Sequence, residues 1–159
     1  MMQLQAEIKR IEDKKLIGKR IRMNLANDKT FELWRSFMPR RKEISNNLNT
    51  ELISMKVFPP SYDLQNPESN FEKWAAVEVS DFDIIPEGME SYTLVGGLYA
   101  VFHFKGNPNN ASGFFLNIFK AWMPASGFVL DNRPHFEILG DKFNKDAADS
   151  EEDIYIPIR

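Results

Sequence analysis

One carboxylate stands among apolar residues near the end of the sequence, in a setting where it could do chemistry. Glu137 is flanked by Phe136, Ile138 and Leu139. Strand alternation predicts that Glu137 shares a face with Leu139, and that Phe136 and Ile138 point the other way, under helices. In an aromatic groove, the carboxylate could attract lipophilic cations or, once partly desolvated, act as a general acid or base. The same pattern also fits a sheet-edge carboxylate in solvent.

Four aromatic residues are candidates for lining a groove beside this carboxylate. Trp122 lies at the end of a predicted helix and could lean into a groove, and Trp74 and Tyr155 lie in predicted strands where alternation could aim one side of each strand at it. Tyr99 is a further candidate of the same kind. Other aromatic residues fall on helix faces and are typical of core packing: Trp34, Phe37 and Phe119.

Several kinds of site find no support in the sequence. The chain has no cysteine and two histidines, His103 and His135, which are too few for a convincing metal site. We therefore predict neither a metal nor another cofactor. A net charge of −3 argues against direct nucleic-acid binding, and no long apolar segment predicts membrane insertion. The first residues do not resemble a secretory leader, so we expect a cytoplasmic location; the oligomeric state stays open.

A repeated helix ending indicates how such a groove is built. Residues 33–39, LWRSFMP, and residues 118–124, IFKAWMP, share one pattern of aliphatic, aromatic, basic, small, aromatic, Met and Pro positions. The repeat predicts two related halves, at about residues 1–80 and 90–159, with a groove between them.

The elements around the repeat follow the same order in both halves. Each half is predicted to run strand, helix, strand, strand, with Gly18 corresponding to Gly97 and with helices that end at Pro39 and Pro124. Strands are predicted at 52–58, 74–79, 92–105, 136–139 and 154–158, and the third range holds one or two of them. The expected fold is α+β, with one antiparallel sheet, two helices on one face, and an opposite, concave face left free.

Four motifs in this order resemble the GyrI-like small-molecule-binding domains, which are also the effector-binding domains of AraC-type and multidrug-responsive transcription regulators. They are Gly97–Gly106, Trp122–Phe128, Pro134–Glu137 and Ile154–Ile158. The resemblance implies duplicated βαββ units with pseudo-two-fold symmetry around a ligand groove, and it implies a glutamate at the groove base, here Glu137. Tyr155 is the best aromatic match. We expect one stand-alone domain over residues 1–159, without an attached DNA-binding domain.

The resemblance supports three hypotheses for function. The first is a protein that binds, and so sequesters or senses, lipophilic and possibly cationic small molecules, with Glu137 as the charge partner. The second is a hydrolase of electrophilic small molecules, in which Glu137 activates water or protonates the leaving carbon. The third is a protein-interaction module that inhibits gyrase. The sequence does not identify the ligand and does not decide between binding and catalysis.

Overall fold

A computed structural model describes residues 4–159, whose strands form one eight-stranded antiparallel sheet in the order β1-β6-β8-β7-β3-β4-β2-β5. Residues 1–3, where the predicted first half begins, lie outside the described residues. The strands are β1 (Glu7–Ile11), β2 (Lys14–Met23), β3 (Leu52–Val57), β4 (Phe71–Val79), β5 (Glu90–Leu94), β6 (Gly97–Lys105), β7 (His135–Leu139) and β8 (Glu151–Pro157). The α-helices are α1 (Thr30–Phe37), α2 (Ser112–Asn117) and α3 (Met123–Ser126), with 3₁₀ turns at Met38–Glu43 and Pro108–Asn110 and a π-helix at Ile118–Trp122.

The two halves repeat with a constant offset between their leading strands. Strand β5 begins 83 positions after β1, and the same offset separates β6 from β2 and β7 from β3. The predicted α+β fold with duplicated halves is therefore confirmed, with one additional strand at the start of each half. The offset makes Lys14 the counterpart of Gly97, so the predicted match between Gly18 and Gly97 is wrong. Gly18 instead lies within β2, opposite Ala76 of β4.

Strand pairing joins the halves at three places. Strands β3 and β7 pair at the centre, and the first strand of each half pairs with the other half: β1 with β6, and β5 with β2. Each half thus supplies an edge strand to the other. Because these pairings are long-range, neither half completes its part of the sheet alone.

One face of the sheet carries both helical segments, and we call it the helix face. Helix α1 packs Leu33 and Phe37 onto alternate residues of β2 and β4, in a cluster with Ile17, Ala75, Val77 and Val79. The second helical segment packs Ile118 onto β6 and β8, in a cluster with Ala100, Phe102, Ile154, Ile156 and Ile158. Both helices therefore lie on one face, as predicted.

The opposite face is not free, which corrects the expectation of an open concave surface. It carries its own buried cluster, which we call the inner cluster: Leu16, Ile53, Met55, Trp74, Ala76, Leu94, Tyr99, Val101, Phe136 and Tyr155. Phe136 and the adjoining Ile138 thus lie away from the helices, contrary to the prediction. The edges of the sheet meet over this cluster, where Gly96 donates its N–H to Asp13 at 2.7 Å. The sheet curves and buries its own side chains there.

The two predicted helix ends differ in outcome. Helix α1 ends at Phe37, just before Pro39, and the chain continues as a 3₁₀ turn. Pro124 does not end the second helical segment, which continues through the π-helix and α3 to Gly127 at φ 81°. Because Pro124 has no N–H, the helical hydrogen-bond pattern is interrupted there, and the π-helix lies directly before this position. Within residues 4–159, no helix has both the length and the apolar character needed to span a lipid bilayer.

Candidate functional site

A cavity of about 400 Å³ opens on the helix face, over the line where the two halves pair. Strands β3, β7 and β8 supply its floor, the second helical segment supplies one wall, and the segment after β3 supplies another. The floor residues are Ser54, Lys56, His135, Glu137, Ile154 and Ile156, and the walls include Phe58, Pro59, Tyr62, Phe115 and Phe119. We call this the junction cavity. Helix α1 does not line it, so the two halves contribute unequally.

Glu137 lies at the symmetry centre of the molecule. Strand pairing places it directly opposite Ser54, which is also its counterpart under the 83-residue offset. The two related positions therefore face each other across the junction, and only the second half supplies a carboxylate. Ser54 is buried and Glu137 is half-buried, so the carboxylate reaches the cavity from a mostly enclosed floor.

A second carboxyl group, that of Glu152, lies beside Glu137 on the neighbouring strand β8. Glu152 is 6% exposed and lies on the same face of β8, two residues from Ile154, the partner of Glu137. Burial, and then the charge and the hydrogen bond of Glu137, raise the pKa of Glu152 to about 8. At neutral pH, Glu152 therefore stays protonated, and its O–H can donate a hydrogen bond to Glu137.

Two lysines lie opposite each other on the first-half side of the floor. Lys56 of β3 pairs with Lys73 of β4, and Lys73 is 7% exposed. Burial, and then the charge of Lys56, lower the pKa of Lys73 to about 8, while Glu137, Asp28 and Glu152 act in the opposite direction. The buried Lys73 therefore lies close to charged groups of both signs.

His135 lies opposite Lys56, on the second-half side of the junction. Its ring centroid lies 4.9 Å from that of Phe58 and 6.0 Å from that of Phe119. Burial, and then the charge of Lys56, lower the pKa of His135 to about 3. His135 is therefore neutral at physiological pH and extends the aromatic lining of the cavity.

Aromatic side chains form much of the remaining wall. Phe58 lies 4.6 Å from Tyr62 and 5.1 Å from Phe71 between ring centroids. Across the floor, the Lys56 ammonium lies 4.8 Å from the ring centroid of Phe115. Such surfaces suit flat or aromatic ligands.

The rim of the cavity carries an arginine that is already bound by other groups. Arg133 contacts Asp131 at 2.6 Å and donates to the carbonyl oxygens of Leu98 at 2.7 Å and Ile158 at 3.1 Å. Its guanidinium lies 4.7 Å from the ring centroid of Tyr99. Arg133 thus ties the rim to the end of the sheet, and Asp131 balances its charge.

One of the five predicted site residues lies on the floor of this cavity. Glu137 lies on its floor, whereas Tyr155 borders it and turns its ring to the inner cluster, stacked 4.5 Å from Phe136. Trp74 and Tyr99 also lie in the inner cluster, and the Tyr99 hydroxyl donates to Pro134 at 3.1 Å. Trp122 packs 5.0 Å from Phe102, outside the cavity lining. A ligand-binding role for these residues stays a prediction.

Sequence reasoning missed most of the cavity lining. The sequence predicts a core position for Phe119 and does not indicate Ser54, Lys56 or His135 as site residues. The alternation of β3 puts Ser54 and Lys56 on one face, but only its pairing with β7 places them beside Glu137. Within residues 4–159, no group of three or more His, Asp or Glu side chains is arranged to hold a metal ion.

Comparison with solved structures shows the same fold in proteins of low sequence identity. The integron cassette protein VCH_CASS2 of Vibrio cholerae superposes with a TM-score of 0.69 and 15% identity, covering 97% of this chain and 95% of that one. SAV2435 bound to tetraphenylphosphonium superposes with a TM-score of 0.68 and 14% identity, covering 98% and 94%. These likenesses show the fold.

Sequence comparison gives a relative and a family. The transcriptional regulator BrlR of Pseudomonas aeruginosa is 29% identical over 130 residues, which cover 80% of this chain and 45% of BrlR. This chain thus spans less than half the length of that relative. The Cass2 family model, described as integron-associated effector binding protein, matches residues 7–158. The predicted GyrI-like resemblance is confirmed, and the chain belongs to the Cass2 family of integron-associated effector-binding proteins.

Proposed function

We propose that this chain binds lipophilic small molecules with aromatic bodies in the junction cavity, and that Glu137 is the charge partner of their cationic groups. The observation that carries the proposal is a carboxylate on the floor of an aromatic-walled cavity at the centre of the molecule. A volume of about 400 Å³ falls within the range of small-molecule sites. The aromatic faces add cation–π attraction to the charge of Glu137.

The family supports small-molecule binding, and one structural neighbour supports the cationic class. The Cass2 family is named for effector binding, and SAV2435 was solved with tetraphenylphosphonium, a lipophilic cation. The likeness to the transcriptional regulator BrlR suggests that binding is used for sensing. A multidrug-type ligand range, a role in transcription regulation and a cytoplasmic location belong to this proposal.

Displacement of a neutral dye tests the proposal. Nile red, which fluoresces in apolar sites, should bind the protein and be displaced by tetraphenylphosphonium. Glu137→Gln should weaken the phosphonium about tenfold, the loss of one favourable charge contact, and leave Nile red unchanged. An unchanged phosphonium affinity in Glu137→Gln would remove the charge-partner role.

The repeat supplies a matched pair of variants that tests the location of the site. Phe119 and Trp34 occupy the same position of the repeated helix ending, but only Phe119 lines the cavity. Phe119→Ala should therefore weaken both probes, whereas Trp34→Ala should change stability and leave affinity unchanged. Equal effects of the two variants on affinity would place the site elsewhere.

The two carboxyls favour hydrolysis as a second candidate function. Glu152 keeps a proton at neutral pH beside the Glu137 carboxylate, so a base and an acid lie together. Glu137 would take a proton from water, the water oxygen would bond to an electrophilic carbon, and the proton would pass to the carbon released by ring opening. Turnover of an activated cyclopropane, abolished in Glu137→Gln, would support hydrolysis. Unaltered substrate after long incubation would reject it.

A further inference from the structure

The junction cavity holds a positive charge as well as a negative one. Lys56 and Glu137 both line it, on neighbouring strands and on the same face of the sheet. Because Lys56 is opposite His135 and Glu137 is opposite Ser54, the two charged residues are diagonal neighbours, roughly 7–8 Å apart in such a pair. Within residues 4–159, Lys56 forms no salt bridge with Glu137 or with another carboxylate.

Among the positively charged groups near the cavity, Lys56 is the one that a ligand can contact. Arg133 is neutralised by Asp131 and held by two carbonyl oxygens. Lys73 is buried beside Lys56 on the same face of the sheet and does not line the cavity. His135 is neutral. Lys56 is half-buried, and its ammonium lies over the face of Phe115, itself part of the cavity wall.

The position of Lys56 in the cavity disfavours the binding of simple lipophilic cations. A ligand with one positive charge gains attraction from Glu137 but is repelled by Lys56 in a poorly screened site. The Phe115 face, which could attract the ligand cation, is already in contact with an ammonium group. A ligand that also carries an anionic group is instead attracted by Lys56, because that group can accept a charge-assisted hydrogen bond from the ammonium.

We propose that the junction cavity selects aromatic zwitterions, with the cationic group at Glu137 and the anionic group at Lys56. The proposal rests on the small-molecule binding proposed above and names its ligand class. Lys56 is then a specificity-determining residue, which discriminates against permanent cations that lack an anionic group. Its counterpart in the second half is Leu139, so this charge, like that of Glu137, comes from one half only.

Two phosphonium compounds of matched size test the selection. Carboxybutyl-triphenylphosphonium is a zwitterion near neutral pH, and pentyl-triphenylphosphonium is a cation of the same shape. The protein should bind the zwitterion about tenfold more tightly, the value of one charge-assisted hydrogen bond. In Lys56→Met the preference should disappear, and the plain cation should bind more tightly than it does to the unaltered protein.

Further variants control for folding and net charge. Lys56→Gln provides a second neutral replacement, Lys56→Arg should keep the preference, and Lys42→Met removes a charge from an exposed lysine outside the cavity and should change nothing. Equal or tighter binding of the plain cation by the unaltered protein would overturn the zwitterion proposal, even though binding occurs. Preference retained in both neutral variants would also overturn it. If Nile red and both phosphoniums fail to bind, the proposed function itself is wrong.

Discussion

Glu152 shows how the position of a single residue sets its protonation. Its pKa rises from an ordinary 4.5 to about 8 because it is buried and because Glu137 lies beside it. The folded protein therefore binds this proton more tightly than the unfolded chain does, and the contribution of Glu152 lowers stability as pH rises from 4.5 to about 8.

The replacement Glu152→Gln tests this effect. Glutamine resembles the protonated glutamate, so the variant should match the original protein near pH 5. Near pH 8 it should be more stable by about 1–2 kcal/mol, because no buried carboxylate forms. Urea unfolding at both pH values measures the difference, and Glu68→Gln, at an exposed position, should shift neither value. A gain of equal size at both pH values would contradict the raised pKa.

Close packing between paired strands limits which residue can stand at position 18 of β2. Gly18 of β2 lies opposite Ala76 of β4, and a Cβ added there would overlap the carbonyl oxygen of Ala75. The backbone, and not a movable side chain, occupies that space. By contrast, a Cβ added at Gly113 of α2 meets nothing within 4 Å.

These two glycines predict opposite effects of the same substitution. Gly18→Ala should lower the free energy of unfolding by about 2–4 kcal/mol, because two paired strands must move apart. Gly113→Ala should raise it by up to about 1 kcal/mol, because alanine favours the helix and restricts the unfolded chain. Denaturant unfolding of both variants measures the pair. Two losses of similar size would contradict the close approach at Gly18.

Three clusters of buried side chains pack on the faces of one continuous sheet. Trp74 belongs to the inner cluster, Trp34 packs against the cluster under α1, and Trp122 packs against the cluster under the second helical segment. Because the halves exchange their edge strands and share the β3–β7 pair, we expect the clusters to unfold together.

Three variants that each keep one tryptophan, with phenylalanine at the other two positions, test this cooperativity. In each variant, fluorescence and far-UV circular dichroism should give the same denaturant midpoint. The midpoints of different variants need not agree, since each carries different substitutions. A fluorescence midpoint for Trp122 that differs from the circular dichroism midpoint of its own variant would show that the second half unfolds separately.

Local sequence patterns were enough to predict the duplication, the α+β class and the candidate carboxylate. The repeated helix ending and strand alternation are local patterns, so they survive without knowledge of contacts, and the family motifs identified Glu137.

The face that holds the cavity and the residues that surround Glu137 follow from strand pairing and could not be predicted from the sequence. The pairing of β3 with β7 joins segments about 80 positions apart, and no local pattern reports such a register. That register puts Ser54 opposite Glu137, brings Lys56 to the same cavity, and turns Phe136 and Tyr155 toward the inner cluster. The charge balance of the site is therefore a property of strand pairing, because a shift of one residue would move each of these side chains to the other face.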